Sequence, residues 1–138
     1  MSYLVDTNVL SEAVKPLPDL KVMAWLRKHE REIYISAITI GEIRRGIERL
    51  GDGKRKTELQ EWLQELCRRT RGRILSFNTS TANIWGQLKA QWDRKGVTMG
   101  SLDSQIAATA SRYGLILVTR NDADFKQSGV TLTNPFNP

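Results

Sequence analysis

A chain of 138 residues, 40% of them hydrophobic and 26% charged, has the size and balance of one soluble globular domain spanning residues 1–138. Its single cysteine, Cys67, excludes an internal disulfide, and no stretch has the length of a membrane-spanning helix. The start, MSYLVDTN, lacks the basic segment and long apolar run of a secretory signal, so we expect a cytoplasmic protein.

The formal net charge is +6, and much of it falls between residues 44 and 73, where ten Lys or Arg stand against five Asp or Glu. A solvated helical surface would explain this cluster. A field that attracts phosphates or an acidic partner would explain it equally well. The sequence leaves both interpretations open.

Short apolar strands alternate with amphipathic helices along the chain. Strands are predicted at residues 3–5, 33–36, 74–77 and 115–119, with an edge strand in VTLTN. Helices are predicted after the caps Asp19, Ser36 and Ser101, through Trp62 and Leu66, and from Ser80 or Thr81. This alternation predicts an α/β fold with a central, mostly parallel sheet of about five strands flanked by helices on both faces.

Acidic residues stand close to the ends of the predicted strands. Asp6 directly follows the first strand, and Asp122 and Asp124 follow residues 115–119. Glu42 comes under two helical turns after the second strand, and Asp103 lies in the first turn of its helix. Because ligands of such sheets bind beyond the carboxyl ends of the strands, we expect these acids to converge at one edge.

Each acid also has a purely structural explanation. Asp103 could stabilise its helix dipole by roughly 0.3 to 1 kcal/mol, Asp6 could close an Asx-turn, and Glu42 could face solvent. Together, however, clustered carboxylates repel one another, and without a cation at least one is driven to protonate. Oxygen ligands with no His or Cys nearby suit Mg²⁺ or Mn²⁺, which can activate water for attack on a phosphate ester.

Other chemistries fit the sequence less well. The single histidine, His29, lies in the basic stretch RKHER, where we expect a surface position, and a nuclease with paired histidines is excluded. Neither GxxxxGK[ST] nor GxGxxG occurs, so there is no standard nucleotide-binding loop. Asn8 stands where haloacid dehalogenase phosphatases carry a second Asp, and the acidic pair of receiver domains is absent.

Four motifs run through nearly the whole chain: DTNVLSE, SAITIGEIRRGI, LDSQIAATA, and VTRNDADF followed by GVTLTNPF. In this order they resemble the PIN domain family, and most of all the VapC and FitB toxins of bacterial toxin–antitoxin pairs. The resemblance implies a three-layer PIN-like fold and a Mg²⁺-dependent endoribonuclease that could also use Mn²⁺. It further implies a homodimer, and a VapB- or FitA-like antitoxin whose tail covers the active site.

By this resemblance Asp6, Glu42 and Asp103 take three acidic catalytic positions. Asp6 and Asp103 would bind the metal, with Glu42 helping directly or through water. The fourth position is less defined, because many members have an acid where this chain has Asn121, whereas VapC-like members often carry one at the position of Asp124.

Four polar residues are expected to assist: Thr7, Asn8, Thr119 and Asn121. Thr7 and Asn8 would orient Asp6 and the metal's waters, and Asn121 would orient substrate or the acids. Two functions remain open: a toxin that hydrolyses RNA and leaves a 5′-phosphate, or a non-catalytic RNA-binding or regulatory PIN protein. The three intact acids favour the enzyme.

Overall fold

The computed structural model describes residues 1–138 and contains one five-stranded sheet. The strands are β1 (Tyr3–Val5), β2 (Ile33–Ser36), β3 (Ile74–Leu75), β4 (Ile116–Val118) and β5 (Leu132–Thr133). Their order across the sheet is β3-β2-β1-β4-β5, and every neighbouring pair is parallel. The predicted α/β fold is confirmed, with a sheet that is parallel throughout rather than mostly parallel.

Seven α-helices connect and cover the strands. They are α1 (Thr7–Leu10), α2 (Leu20–Lys28), α3 (Ala37–Glu48), α4 (Lys54–Arg69), α5 (Thr79–Arg94), α6 (Ser101–Tyr113) and α7 (Asp122–Phe125). None of them combines the length and the apolar character that crossing a membrane requires.

Side-chain caps start two helices where the sequence predicts them. Asp19 accepts a hydrogen bond from the backbone N–H of Lys21 at 2.8 Å, and Ser36 accepts one from Ile38 at 3.1 Å. Each cap satisfies a backbone N–H that has no partner within the helix. Ser36 also ends β2, so the chain passes from strand to α3 without a loop.

Two predicted helix starts are wrong by one or two residues. α5 begins at Thr79, because the Asn78 side chain accepts the N–H of Thr81 at 3.1 Å. α6 begins at Ser101 itself, after Gly100, which makes no side-chain cap. Asp103 nevertheless lies in the first turn of α6, as the sequence indicates.

The two faces of the sheet are covered by different helices, which gives three layers. Tyr3 and Val5 of β1 pack with helices α1 to α4 in one core, and Leu4 packs with α5 to α7 in the other. Cys67 packs against the first core, as a small partly buried side chain. The two central strands, β1 and β4, are apolar throughout, as expected of strands that are covered on both faces.

The strand register sets which residues meet at the carboxyl edge of the sheet. Val5 of β1 pairs with Val118 of β4, and the backbone N–H of Asp6 donates to the Val118 carbonyl at 2.9 Å. Asp6 and Thr119, which follow these two strands, are therefore side by side at the centre of the edge.

Candidate active site

Asp6 is the buried carboxylate at the end of β1, with 6% of its surface exposed. One oxygen accepts the N–H of Thr7 at 2.8 Å, and the other accepts the Thr119 hydroxyl at 2.9 Å and the Asn8 amide at 3.5 Å. Burial raises the pKa of Asp6 because it disfavours the ionised form, and these three hydrogen bonds offset part of that rise. The chain thus withdraws a carboxylate from water and fixes its orientation.

Glu42 reaches the same place from α3. Its carboxylate is half-buried and accepts the Thr7 hydroxyl at 3.2 Å. Burial raises the pKa of Glu42, the Thr7 hydroxyl opposes that rise, and the charges of Asp6 and Asp103 add to it. Thr7 therefore links two acids, since its N–H bonds Asp6 and its hydroxyl bonds Glu42.

Asp103 approaches from the first turn of α6 and is also half-buried. Its pKa is raised first by burial and then by the negative charges of Asp6 and Asp124. The charges of Asp6 and Asp103 raise the pKa of Glu42, and those of Asp6 and Asp124 raise the pKa of Asp103, so the fold brings these four acids close together. None of the four forms an ion pair.

The chemistry of these groups fits a hydrated divalent cation. The donors are all oxygens, none of them forms an ion pair, and the one protein cation that acts on them, Arg45, has only the smallest of the effects on the pKa of Glu42. No three His, Cys, Asp or Glu side chains are grouped closely enough to hold a metal ion by themselves. Because Mg²⁺ keeps several waters and needs only one or two carboxylates, the arrangement suits direct ligation by Asp6 and Asp103, with Glu42 acting through water.

Thr119 connects the Asp6 carboxylate to the segment after β4. Its side chain is fully buried, and its hydroxyl oxygen accepts the N–H of Asn121 at 3.1 Å while donating to Asp6. The Asn8 amide lies 3.5 Å from the same hydroxyl. Asn121 reaches this network through its backbone, and its exposed side chain makes no hydrogen bond to an acid.

The two acids of α7 have different surroundings. Asp124 precedes Phe125, whose ring is fully buried, and the charge of Asp124 raises the pKa of Asp103. Asp122 accepts the N–H of Ala123 at 3.1 Å and so serves its own helix. The charge of Asp124 thus acts on Asp103 while the hydrogen bond of Asp122 is local, and the assignment of Asp124 as the fourth acid stays a prediction.

Sequence reasoning missed the residues that support the start of α6. The Trp85 indole N–H of α5 donates to the buried Ser104 hydroxyl at 2.9 Å, and that hydroxyl donates to the Ser101 carbonyl at 2.7 Å. These bonds hold the turn that carries Asp103. No local pattern marks them, because a serine inside a helix and a tryptophan in the preceding helix are individually ordinary.

A family model described as PIN domain matches residues 3–130. The chain belongs to the PIN domain family. This PIN domain is 37% identical over 137 residues to VapC ribonuclease Y4jK of Sinorhizobium fredii, an alignment that covers 98% of each chain. It is 38% identical over 136 residues to Toxin FitB of Neisseria gonorrhoeae, covering 97% of this chain and 98% of that toxin. The predicted resemblance to VapC and FitB toxins is confirmed.

Solved structures resemble this PIN domain over the same length. FitAcB from Neisseria gonorrhoeae matches with a TM-score of 0.93 and 36% identity, covering 99% of both chains. A structure of FitAB bound to an IR36 DNA fragment matches with a TM-score of 0.91 and 35% identity, covering 97% of this chain and 95% of that one. The three-layer fold inferred from the motifs is therefore confirmed.

His29 of this PIN domain is not the surface residue that the sequence predicts. Its ring lies 4.9 Å from that of Tyr3 and 4.6 Å from that of Trp25, and only 16% of the side chain is exposed. Packing against aromatic rings outweighs the polarity of the surrounding RKHER stretch. Tyr3 begins β1, so His29 lies at the opposite end of that strand from Asp6.

The basic cluster is partly neutralised by its own acids. Arg44 pairs with Glu48 at 3.4 Å, and Arg69 pairs with Glu30 at 3.2 Å and with Glu65 at 3.1 Å. Such exposed pairs are individually weak. They do, however, lower the field that this surface offers to phosphates.

Proposed function

We propose that this PIN domain is a toxin endoribonuclease that hydrolyses RNA phosphodiester bonds and depends on Mg²⁺, with Mn²⁺ as a substitute. The observation that carries the proposal is the convergence of Asp6, Glu42, Asp103 and Asp124 at the carboxyl edge of the sheet, where none of the four forms an ion pair. The name of the relative from Sinorhizobium fredii, a VapC ribonuclease, supports RNA as the substrate.

Each residue then has a defined task. When bound, Mg²⁺ would supply the positive charge that lowers the pKa of a water and stabilises the developing charge on phosphorus. Asp6, fixed by Thr7 and Thr119, and Asp103, fixed by its helix turn, would hold the ion. Glu42 is suited to accept a proton from the attacking water, because its raised pKa lies nearer to neutrality than that of an exposed glutamate.

RNA selectivity must arise from binding rather than from the chemical step. Water is the attacking group and the product keeps a 5′-phosphate, so the 2′-hydroxyl of RNA has no chemical role. The net charge of +6 gives the chain a general attraction to the phosphate backbone. Contacts near the acids must therefore hold the strand in place.

We further propose a VapB- or FitA-like antitoxin and a homodimeric toxin in the cytoplasm. The solved FitAB relative supports a partner of this kind. An inserted Arg or Lys from the partner's tail would be attracted to the acid cluster for the same reason as a metal ion, because both bring positive charge to unbalanced carboxylates.

The proposal is tested by incubating the purified protein with a panel of labelled RNAs. We expect cleavage with Mg²⁺ or Mn²⁺ and none in excess EDTA. Asp103→Asn should abolish cleavage, whereas Asp122→Asn, a matched change in an acid whose hydrogen bond is to the N–H of Ala123 in its own helix, should keep it. RNA binding without any cleavage by the wild-type protein would instead support the non-catalytic RNA-binding function.

A further inference from the structure

Arg120 is an exposed cation at the end of the sheet that carries the acid cluster, and the proposed chemistry does not use it. It directly follows Thr119, so it lies at the carboxyl edge of the sheet. Its guanidinium carbon lies 4.7 Å from the centre of the Phe136 ring. The guanidinium forms no ion pair and no hydrogen bond within the protein, so its donors are available to a ligand.

The surroundings of Arg120 fix it to the network that orients the catalytic acid. Its backbone N–H donates to the Asn8 side-chain oxygen at 3.0 Å, and the Asn8 amide lies 3.5 Å from Asp6. Its carbonyl accepts the Asn134 amide at 3.2 Å, and the Asn134 oxygen accepts the Phe136 N–H at 2.9 Å. These hydrogen bonds fix the backbone of Arg120 relative to Asn8 and Asp6, and they connect it through Asn134 to the backbone of Phe136.

The charge of Arg120 has only a small effect on the other ionisable groups of the protein. The pKa of Glu12 is lowered first by the Asp19 N–H, then by Lys15, and only last by Arg120. Glu12 forms its ion pair with Lys15 at 2.9 Å. A guanidinium held over an aromatic ring, with no hydrogen-bond partner in the protein, can present its N–H edge to a phosphate in a two-point contact.

We propose that Arg120, held over Phe136, binds an RNA phosphate next to the one that is cleaved and so fixes the strand across the acid cluster. The inference rests on the proposed ribonuclease function and adds a substrate-binding residue to it. The physical reason is that four carboxylates repel a phosphate backbone, so a cation that follows Thr119 at the same end of the sheet would give the strand a point of attachment.

The chain contains a matched control at the other end of the same strand. Arg112 also stacks on a ring, with its guanidinium carbon 4.7 Å from the centre of Tyr113. One of its nitrogens already donates to Asn78 at 3.2 Å, to Thr81 at 2.7 Å and to the Tyr113 hydroxyl at 2.8 Å. Arg112 precedes β4 whereas Arg120 follows it, so the two lie at opposite edges of the sheet.

The test measures binding separately from cleavage, by fluorescence anisotropy with a fluorescein-labelled, mixed-sequence single-stranded RNA. In an Asp103→Asn background, Arg120→Gln should weaken binding about tenfold, the scale of a lost charge-assisted contact. It should also make the affinity less dependent on salt. The slope of log affinity against log salt should become less negative by about 0.7, the value for one single-strand phosphate. Arg120→Lys should keep the slope and lose part of the affinity, and Arg112→Gln should change neither.

Cleavage kinetics and stability complete the test. In the otherwise wild-type protein, Arg120→Gln should raise KM about tenfold with kcat changed by less than about twofold. Thermal unfolding must show that each variant folds. If the wild-type protein cleaves no RNA but Arg120→Gln still weakens binding, the ribonuclease proposal fails and the phosphate contact stands.

Three results would overturn the phosphate contact: unchanged affinity and slope in Arg120→Gln, equal losses in Arg112→Gln, or normal RNA affinity with a weakened antitoxin complex. The last would assign Arg120 to the protein partner.

Discussion

Thr119 donates its hydroxyl proton to Asp6 across 2.9 Å, although the two residues are 113 positions apart in the chain. The contact exists because β1 and β4 are paired in register up to Val5 and Val118, so the next residue of each strand meets the other. It is the hydrogen bond through which the segment after β4 helps to orient the buried carboxylate.

Thr119→Val should therefore damage both stability and activity. The valine has the same shape but cannot donate, so Asp6 would lose one of the bonds that offset its burial. We expect the free energy of unfolding to fall by about 1 to 3 kcal/mol, the cost of a buried group left unpaired, as measured by chemical denaturation. RNA cleavage should fall as well.

Thr109→Val is the control for that change. Thr109 is equally buried, but its hydroxyl donates to the Gln105 carbonyl of its own helix at 2.8 Å and to no acid of the cluster. Its loss should leave cleavage unchanged. Equal cleavage by the wild-type protein and Thr119→Val would show that this hydrogen bond does not serve catalysis.

The fourth acid is decided by comparing Asp124→Asn with Asp122→Asn. The charge of Asp124 raises the pKa of Asp103, whereas the Asp122 carboxylate accepts a hydrogen bond from Ala123 in its own helix. We expect Asp124→Asn to lower the cleavage rate by roughly 10²-fold or more, the scale of a positioned acid–base group, and Asp122→Asn to lower it little. The reverse order would transfer the role to Asp122.

Metal binding should be visible in thermal stability. Mg²⁺ or Mn²⁺ should raise the melting temperature of the wild-type protein, because an ion that binds only the folded state adds about 2.7 kcal/mol at a hundred times its dissociation constant. Asp103→Asn should melt higher than the wild-type protein in EDTA, since it removes repulsion, and should respond less to the ion. An identical response in both proteins would contradict the proposed ligand.

The metal-free protein should lose stability from this site as the pH rises. The pKa values of Asp6 and Asp103 are raised above their ordinary 3.8, and that of Glu42 above 4.5, so the folded state binds more protons than the unfolded state above about pH 4. Their stabilisation is complete at low pH and is lost as the pH rises through the folded-state pKa values.

Denaturation in EDTA over a series of pH values measures this effect. The stability difference between Asp103→Asn and the wild-type protein should grow in favour of the variant from about pH 4 towards neutrality. A constant difference for Asp103→Asn would mean that the charge of Asp103 is balanced by a group of the protein.

The extent of prediction differs between elements. β1 and β2 are found with the predicted bounds, whereas residues 74–77 and 115–119 contain shorter strands at Ile74–Leu75 and Ile116–Val118. The start of α5 was missed because the Asn78 amide, rather than a hydroxyl, provides the cap. Strand ends and caps depend on single hydrogen bonds, which a pattern of residue types describes only within a residue or two.

The sequence by itself determined the alternation of strands and helices and the placing of acids after strands, because periodicity and capping act between near neighbours along the chain. Only the tertiary structure decided that Thr119 bonds Asp6, that His29 packs among aromatic rings, and that the Arg120 guanidinium lies over the Phe136 ring. Those contacts join residues from different elements, and their geometry follows from strand register and core packing, which no local pattern encodes.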